Sequence, residues 1–306
     1  MHILDSTLTA QALPYDKLVP AVARAARELA GGRIRAPERQ VVTIDAASVL
    51  LCMPAIAEDI GVTKLITVHG DNAAHGLPAI QGEVVVFDTA TGRRIALLDG
   101  PTVTARRTAA VTLLGIDALA PKSPQSALII GTGTQAVAHA EALIAYLGIS
   151  DFWFVARESA RARAFGDALK RRYPHISFQA IAVASLASEV PETDLVLALT
   201  TSRIPVIPAN LASHTLAIGV GAFKPDMAEF PPELLHSRQI VVDDLAGARH
   251  EAGDLLQAGI DWSAVKPLAA VLDGSCKGLD CVPVFKTVGQ ATWDLAAARV
   301  AAATLG

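Results

Sequence analysis

Two rhythms of apolar and polar positions divide the chain. From about residue 124, short apolar runs at 127–130, 152–156, 178–183, 195–199, 216–220 and 240–243 alternate with helical stretches at 134–147 and 160–172. Runs of that length separated by 3.6-period segments predict a doubly wound parallel sheet. Before them, residues 15–30 read as a helix closed by Gly31-Gly32, with Pro20 expected to disturb its first turns. β-prone runs follow at 41–44, 49–53, 62–69, 83–87 and 94–98, the last two joined by the turn-forming Asp88-Thr-Ala-Thr-Gly92. This first third is therefore expected to be a mixed α+β unit with antiparallel pairs. A helix over 102–115 bridges the two parts, and an alanine-rich helix over 289–304 closes the chain.

Composition narrows the class. Of 306 residues, 52% are hydrophobic but only 5% aromatic, so the apolar content is mainly Ala, Val, Leu and Ile, as in parallel-sheet proteins. A net charge of −4 without a basic block argues against a nucleic-acid partner. No apolar run reaches the length of a membrane span, and the start MHILDSTLTA lacks the basic-then-apolar form of a leader. Three cysteines imply no disulfide framework, and Cys276 and Cys281 lack companion ligands for a metal. A reducing cytoplasm is the expected location.

The stretch SALIIGTGTQA (126–136) carries the chemistry of a dinucleotide site. A buried strand ends in Gly131, Gly133 follows, and a helical segment begins at once, with Ala136 where a third glycine often lies. The first glycine permits the turn and the second lets backbone approach a diphosphate. Free N–H groups at the helix start, with its positive dipole end, would bind that diphosphate, which assigns Gly131, Thr132, Gly133, Thr134, Gln135 and Ala136 to cofactor binding. The next strand ends in Arg157, Glu158 and Ser159. An arginine there suits a 2′-phosphate and Ser159 adds a hydroxyl donor, so NADPH is preferred over NADH. Glu158 as a ribose acid, with Arg157 as a solvated surface residue, is the alternative.

With these stretches in view, the chain resembles the ornithine cyclodeaminase/μ-crystallin family over nearly its whole length. The resemblance lies in VTKLITVHGDNAAHGLPAIQGEVVVFDTATG (62–92), ALLDGPTVTARRTAA (96–110), GTGTQA (131–136), IGVGAFKPDMAE (218–229) and VFKTVGQATWDLAAA (284–298). It implies a homodimer and a Rossmann-type nucleotide domain over 116–285. Residues 1–115 with 286–306 would supply substrate contacts and the subunit interface. It implies Arg39, Lys64 and Arg107 as the cations that bind a substrate carboxylate. Thr108, Thr200-Thr201-Ser202, Val220 and Val288-Gly289 are implied as further cofactor contacts.

On their own chemistry these residues differ. Lys64 shares a strand face with Val62, Ile66 and Val68, and a lysine among apolar neighbours calls for an anion. Adjacent Arg106 and Arg107 face different ways on a helix, so only one can serve the site; the family motif selects Arg107. Arg39 reads as a surface residue apart from the resemblance. His69 and Asp71 flank a turn and suit local hydrogen bonding. Asp243-Asp244 is expected to cap the following turn, and Asp226 and Glu229 to cap a helix around Pro225. Trp153, Trp262 and Trp293 are expected to pack.

One departure bears on the reaction. Cyclodeaminases of the family carry an aspartate just after the glycines of the fifth-strand loop, and here that position is Phe223. Phenylalanine neither accepts a proton nor binds an ammonium, and would instead wall a pocket for a small ring. The expected activity is NAD(P)H-dependent reduction of a small cyclic imino acid, Δ1-pyrroline-2-carboxylate or Δ1-piperideine-2-carboxylate, to L-proline or L-pipecolate. A cyclodeaminase, an open-chain amino-acid dehydrogenase and a non-catalytic NADPH-binding protein are the alternatives.

Overall fold

The computed structural model describes residues 1–276 and 279–305, without the side chains of Ala73 and Ala187. The chain runs β1 (His2–Leu4), α1 (Ser6–Gln11), α2 (Tyr15–Ala30), β2 (Gln40–Thr43), β3 (Ser48–Ile56), β4 (Ile60–His69), β5 (Ile80–Asp88), β6 (Arg94–Asp99) and α3 (Gly100–Leu119). It continues through β7 (Ser126–Ile130), α4 (Thr134–Ala142) with a π-helical turn at Leu143–Leu147, β8 (Asp151–Ala156), α5 (Ser159–Arg172), β9 (Ser177–Ala182), β10 (Leu195–Ala198) and β11 (Leu216–Gly219). The last part is α6 (Pro232–Ser237), β12 (Ile240–Val242), α7 (Leu245–Glu251), α8 (Gly253–Ala258), β13 (Lys266–Pro267), α9 (Leu268–Leu272), β14 (Val284–Lys286) and α10 (Ala291–Leu305). Two compact units result, residues 1–111 with 290–306 and residues 112–289.

In the first unit the sheet order is β1-β6-β5-β4-β3-β2, antiparallel from β2 to β6, with β1 parallel to β6. Strand alternation puts Met53, Ala55, Val62, Ile66, Val84, Val86 and Leu98 on one buried face, against which α10 packs beside α2. The opposite face carries Ile3, Val42 and Leu65, all exposed. Pro20 does not interrupt α2, which runs unbroken from Tyr15 to Ala30. The predicted hairpin turn forms with Asp88 Oδ1 accepting from Thr91 N at 2.8 Å, and Gly92 adopts φ +70°. Arg299 of α10 ties Glu28 of α2 and Asp59 between β3 and β4 into one ion-paired knot.

In the second unit eight parallel strands lie in the order β13-β12-β14-β11-β10-β7-β8-β9. Strands β10 and β11 are buried from end to end, as parallel strands covered on both faces require. β13 and β14 have no counterpart among the expected strands. The last of them inserts between β11 and β12, which draws 284–286 into this unit and moves the division to 289/290. The order reverses at β7, where chain connections leave to opposite sides, and the carboxyl ends of β7 and β10 form a topological switch point.

Candidate active site

The glycine turn sits at that switch point. Gly131 has φ +115°, and a Cβ there would lie 2.5 Å from the Leu199 carbonyl oxygen, so only glycine fits. A Cβ on Gly133 would meet nothing within 4 Å, and this residue caps α4 without any side-chain hydrogen bond. The first N–H groups of α4 therefore open onto free space over an exposed Gly133 and Thr134, while Ala136 is fully buried against the sheet. That cradle fits a dinucleotide diphosphate. Gln135 is half-buried, and its main-chain carbonyl accepts a hydrogen bond from His139 Nδ1 at 2.8 Å. Arg157 and Ser159 are exposed at the end of β8 and the start of α5. A second cation, Arg161, was not singled out in the sequence; its Nε donates to Thr132 Oγ1 at 3.0 Å.

The loops after β10, β11 and β14 are held by carboxylates. Asp226 and Glu229 do not cap a helix, since α6 begins only at Pro232 and its cap residue is Pro231. Asp226 pairs at the surface with Arg203 at 3.3 Å. Glu229 is fully buried and accepts from Thr200 N and Oγ1 and from the N–H groups of Gly221 and Ala222. Thr201 is exposed beside it, and Ser202 Oγ donates to Ile204 O at 2.6 Å. Val220 is buried, its N–H on Ala198 O at 3.0 Å. Asp244 caps α7, whereas Asp243 accepts from Val288 N at 2.9 Å and Gly289 N at 3.0 Å, fixing that turn. Phe223 is partly exposed, with the Lys224 ammonium 5.9 Å from its ring centroid.

In the first unit the cations meet on one acid. Lys64 Nζ lies 2.9 Å from Asp294 Oδ2, and Arg107 Nε lies 3.1 Å from Asp294 Oδ1. Lys64 is 1% exposed and Asp294 0%, so these charges interact with little screening. Asp294 stands in the first turn of α10, where the helix dipole favours an anion. Burial pushes the Lys64 ammonium down to about 8, with Arg107 and Arg39 adding to the fall and Asp294 opposing it. Arg39, half-buried, thus belongs to the same electrostatic cluster. Lys64 and Arg107 against one carboxylate leave a surplus of positive charge. Asp294 takes Arg107 through Nε, so the paired Nη groups, which form the fork for a carboxylate, are not used in that contact. Arg106 faces elsewhere, donating to Leu13 O at 2.7 Å with its guanidinium 4.2 Å from the Tyr15 ring centroid. Thr108 is buried on α3, its hydroxyl donating to Thr104 O at 2.7 Å.

A model of the ornithine cyclodeaminase/mu-crystallin family matches residues 3–304. The chain belongs to that family. Among family members, it is 43% identical to the Δ1-pyrroline-2-carboxylate/Δ1-piperideine-2-carboxylate reductase of Azospirillum brasilense, over 98% of this chain and 94% of that one. The family fold is also seen in the solved Δ1-pyrroline-2-carboxylate reductase of Thermococcus litoralis with NADH and L-proline, at 26% identity and TM-score 0.89 over 99% of this chain and 97% of that one. An archaeal alanine dehydrogenase dimer with bound NAD superposes with TM-score 0.87 at 26% identity, over 99% and 95% of the two chains.

Proposed function

We propose that this protein is an NAD(P)H-dependent ketimine reductase that converts Δ1-pyrroline-2-carboxylate, Δ1-piperideine-2-carboxylate or both to L-proline and L-pipecolate. The observation that carries the reading is the 43% identity, along nearly the full length of both chains, to a reductase named for both rings. The cation cluster is suited to that substrate: Lys64 and Arg107, two cations on one acid, carry the surplus charge that an α-carboxylate needs, and Arg39 lies within their electrostatic reach. Fixing the carboxylate fixes the position of the adjoining C=N carbon, and orientation of this kind supplies much of a rate enhancement. When bound, the reduced nicotinamide supplies the hydride, for which the imine must be protonated. The side chain at 223 offers no carboxylate for a diamine, which disfavours the cyclodeaminase reaction.

The residues of the α4 cradle, with Thr108, Thr200, Thr201, Ser202, Val220, Val288 and Gly289, would hold the dinucleotide. Arg157 and Ser159 favour NADPH over NADH through a 2′-phosphate. The sheet face with exposed Ile3, Val42 and Leu65 is the surface we assign to a homodimer in the cytoplasm, since large apolar side chains exposed on one face favour a partner. Leu65→Glu should then give monomers in sedimentation equilibrium while the wild type gives dimers. The activity is tested by following absorbance of NADPH and NADH with each cyclic imine. Oxidation with either ring is expected. Oxidation with neither, together with ammonia release from L-ornithine, would overturn the proposal.

A further inference from the structure

Glu229 lies beyond β11 in a segment with no helix or strand of its own, yet its carboxylate is completely buried. Such burial is tolerated only when every lone pair has a donor. Here two donors come from the loop after β10 and two from the start of the segment after β11 to which Glu229 itself belongs. Oε1 accepts from Thr200 N at 2.7 Å and Thr200 Oγ1 at 3.0 Å, after β10. Oε2 accepts from Gly221 N at 2.7 Å and Ala222 N at 3.2 Å, after β11. The main-chain oxygen of Glu229 accepts as well, from Val206 and Ile207, so the residue is tied at both ends to the β10 loop. The loops approach so closely that a Cβ on Gly221 would lie 1.9 Å from Thr200 O. Behind the carboxylate stand Lys286 of β14 and Asp254 of α8, both fully inside the protein and 3.7 Å apart.

We infer that Glu229, in its ionised form, is a positioning residue that sets the spacing of the two strand-end loops through which this unit holds the dinucleotide. The inference rests on the reading above that Thr200, Thr201, Ser202 and Val220 carry the cofactor. The physical requirement is the sign of the partners: four donors converge on one group, and a proton on either oxygen would turn a donor toward an N–H. Burial pushes the Glu229 carboxyl up to about 7; Lys286 and the N–H donors of Thr200 and Gly221 oppose the rise, and Asp254 adds to it. Among the described residues, the charged groups facing it from β14 and α8 are Lys286 and Asp254, whereas the β10 and β11 loops present N–H groups and the Thr200 hydroxyl. The ionised clamp is thus present above about pH 7 and is lost below it.

The test uses the full-length, cofactor-free protein. NADPH and NADH binding is titrated by fluorescence from about pH 6 to about pH 8.5, and amide hydrogen exchange is read at Thr200, Gly221 and Ala222. The wild type should bind about tenfold more weakly at the acid end. Glu229→Gln keeps the size but turns an NH2 toward the donors. It should bind about tenfold to a hundredfold more weakly at the alkaline end, show a flat pH profile, and exchange those amides faster. Asp254→Asn removes a like charge, so its binding should persist to lower pH than in the wild type; a shift the other way, or none, overturns the inference even if Glu229→Gln does not fold. Glu229→Gln binding and exchanging like the wild type overturns it too, while leaving the reductase reading intact. Failure of the wild type to bind either dinucleotide overturns that reading and this inference with it.

Discussion

Neutralising Asp294 is the most informative perturbation of the first unit. Asp294→Asn keeps the side-chain shape but leaves Lys64 and Arg107, 2.9 and 3.1 Å from the lost charge, facing each other in a buried site. Removing one partner of a buried ion pair costs about 3–5 kcal/mol, because the other charge stays desolvated and unpaired. With two cations sharing the one acid, the upper part of that range is expected. For a chain of this size that corresponds to a fall in Tm of about 10 °C or more. Lys64 provides an internal check on the cause. Without Asp294 its ammonium loses protons in the folded state at still lower pH, whereas in the unfolded chain it holds them to about pH 10.4. The unfolded state then binds more protons than the folded one, so the stability of the variant should rise with pH across that window. Thermal unfolding by circular dichroism at about pH 7 and about pH 9 reads both effects. A Tm within about 2 °C of the wild type at neutral pH, or a deficit that does not shrink on raising the pH, would refute the charge-balance reasoning.

Other consequences are open to measurement. Because the Lys64 ammonium is held down to about 8, a carboxylate competitor without an ionising ring, such as furan-2-carboxylate, should inhibit more weakly as pH rises through that value. A constant inhibition constant up to about pH 10 would separate Lys64 from carboxylate binding. Gly131→Ala puts a methyl group 2.5 Å from the Leu199 oxygen at φ +115°; it should cost about 1–3 kcal/mol of stability and weaken dinucleotide binding at least about tenfold, read by thermal melts and fluorescence titration.

Local pattern made much of this legible. The parallel half followed from apolar runs alternating with helices, and the turn at Gly131 from a strand, two glycines and a helix in immediate succession. Lys64 was conspicuous because strand alternation put it on the Val62–Ile66 face. What escaped notice depends on contacts distant in sequence. Asp294 lies in an alanine-rich helix, 230 residues from the lysine it pairs with, and nothing adjacent to it signals a charged partner. Glu229 reads as a helix cap because acids near prolines often are caps; its Thr200 donors come from a loop that meets it only once β10 and β11 pair. β13 and β14 are two and three residues long, too short for periodicity, and β14 joins the sheet out of chain order. The pair Asp243-Asp244 reads as a cap for the following turn, and Asp244 is that cap, while Asp243 has the further role of holding Val288 and Gly289.

The central claim is that a surplus of positive charge around Asp294 recognises the carboxylate of a cyclic imine that this protein reduces. It is tested most directly by comparing NADPH oxidation with Δ1-pyrroline-2-carboxylate and with Δ1-pyrroline, the same ring without the acid. Each charge-assisted contact to a carboxylate is worth about 1.5–3 kcal/mol, so kcat/KM for the ring lacking the carboxylate should be lower by about a hundredfold or more. Equal kcat/KM for the two rings would contradict the account.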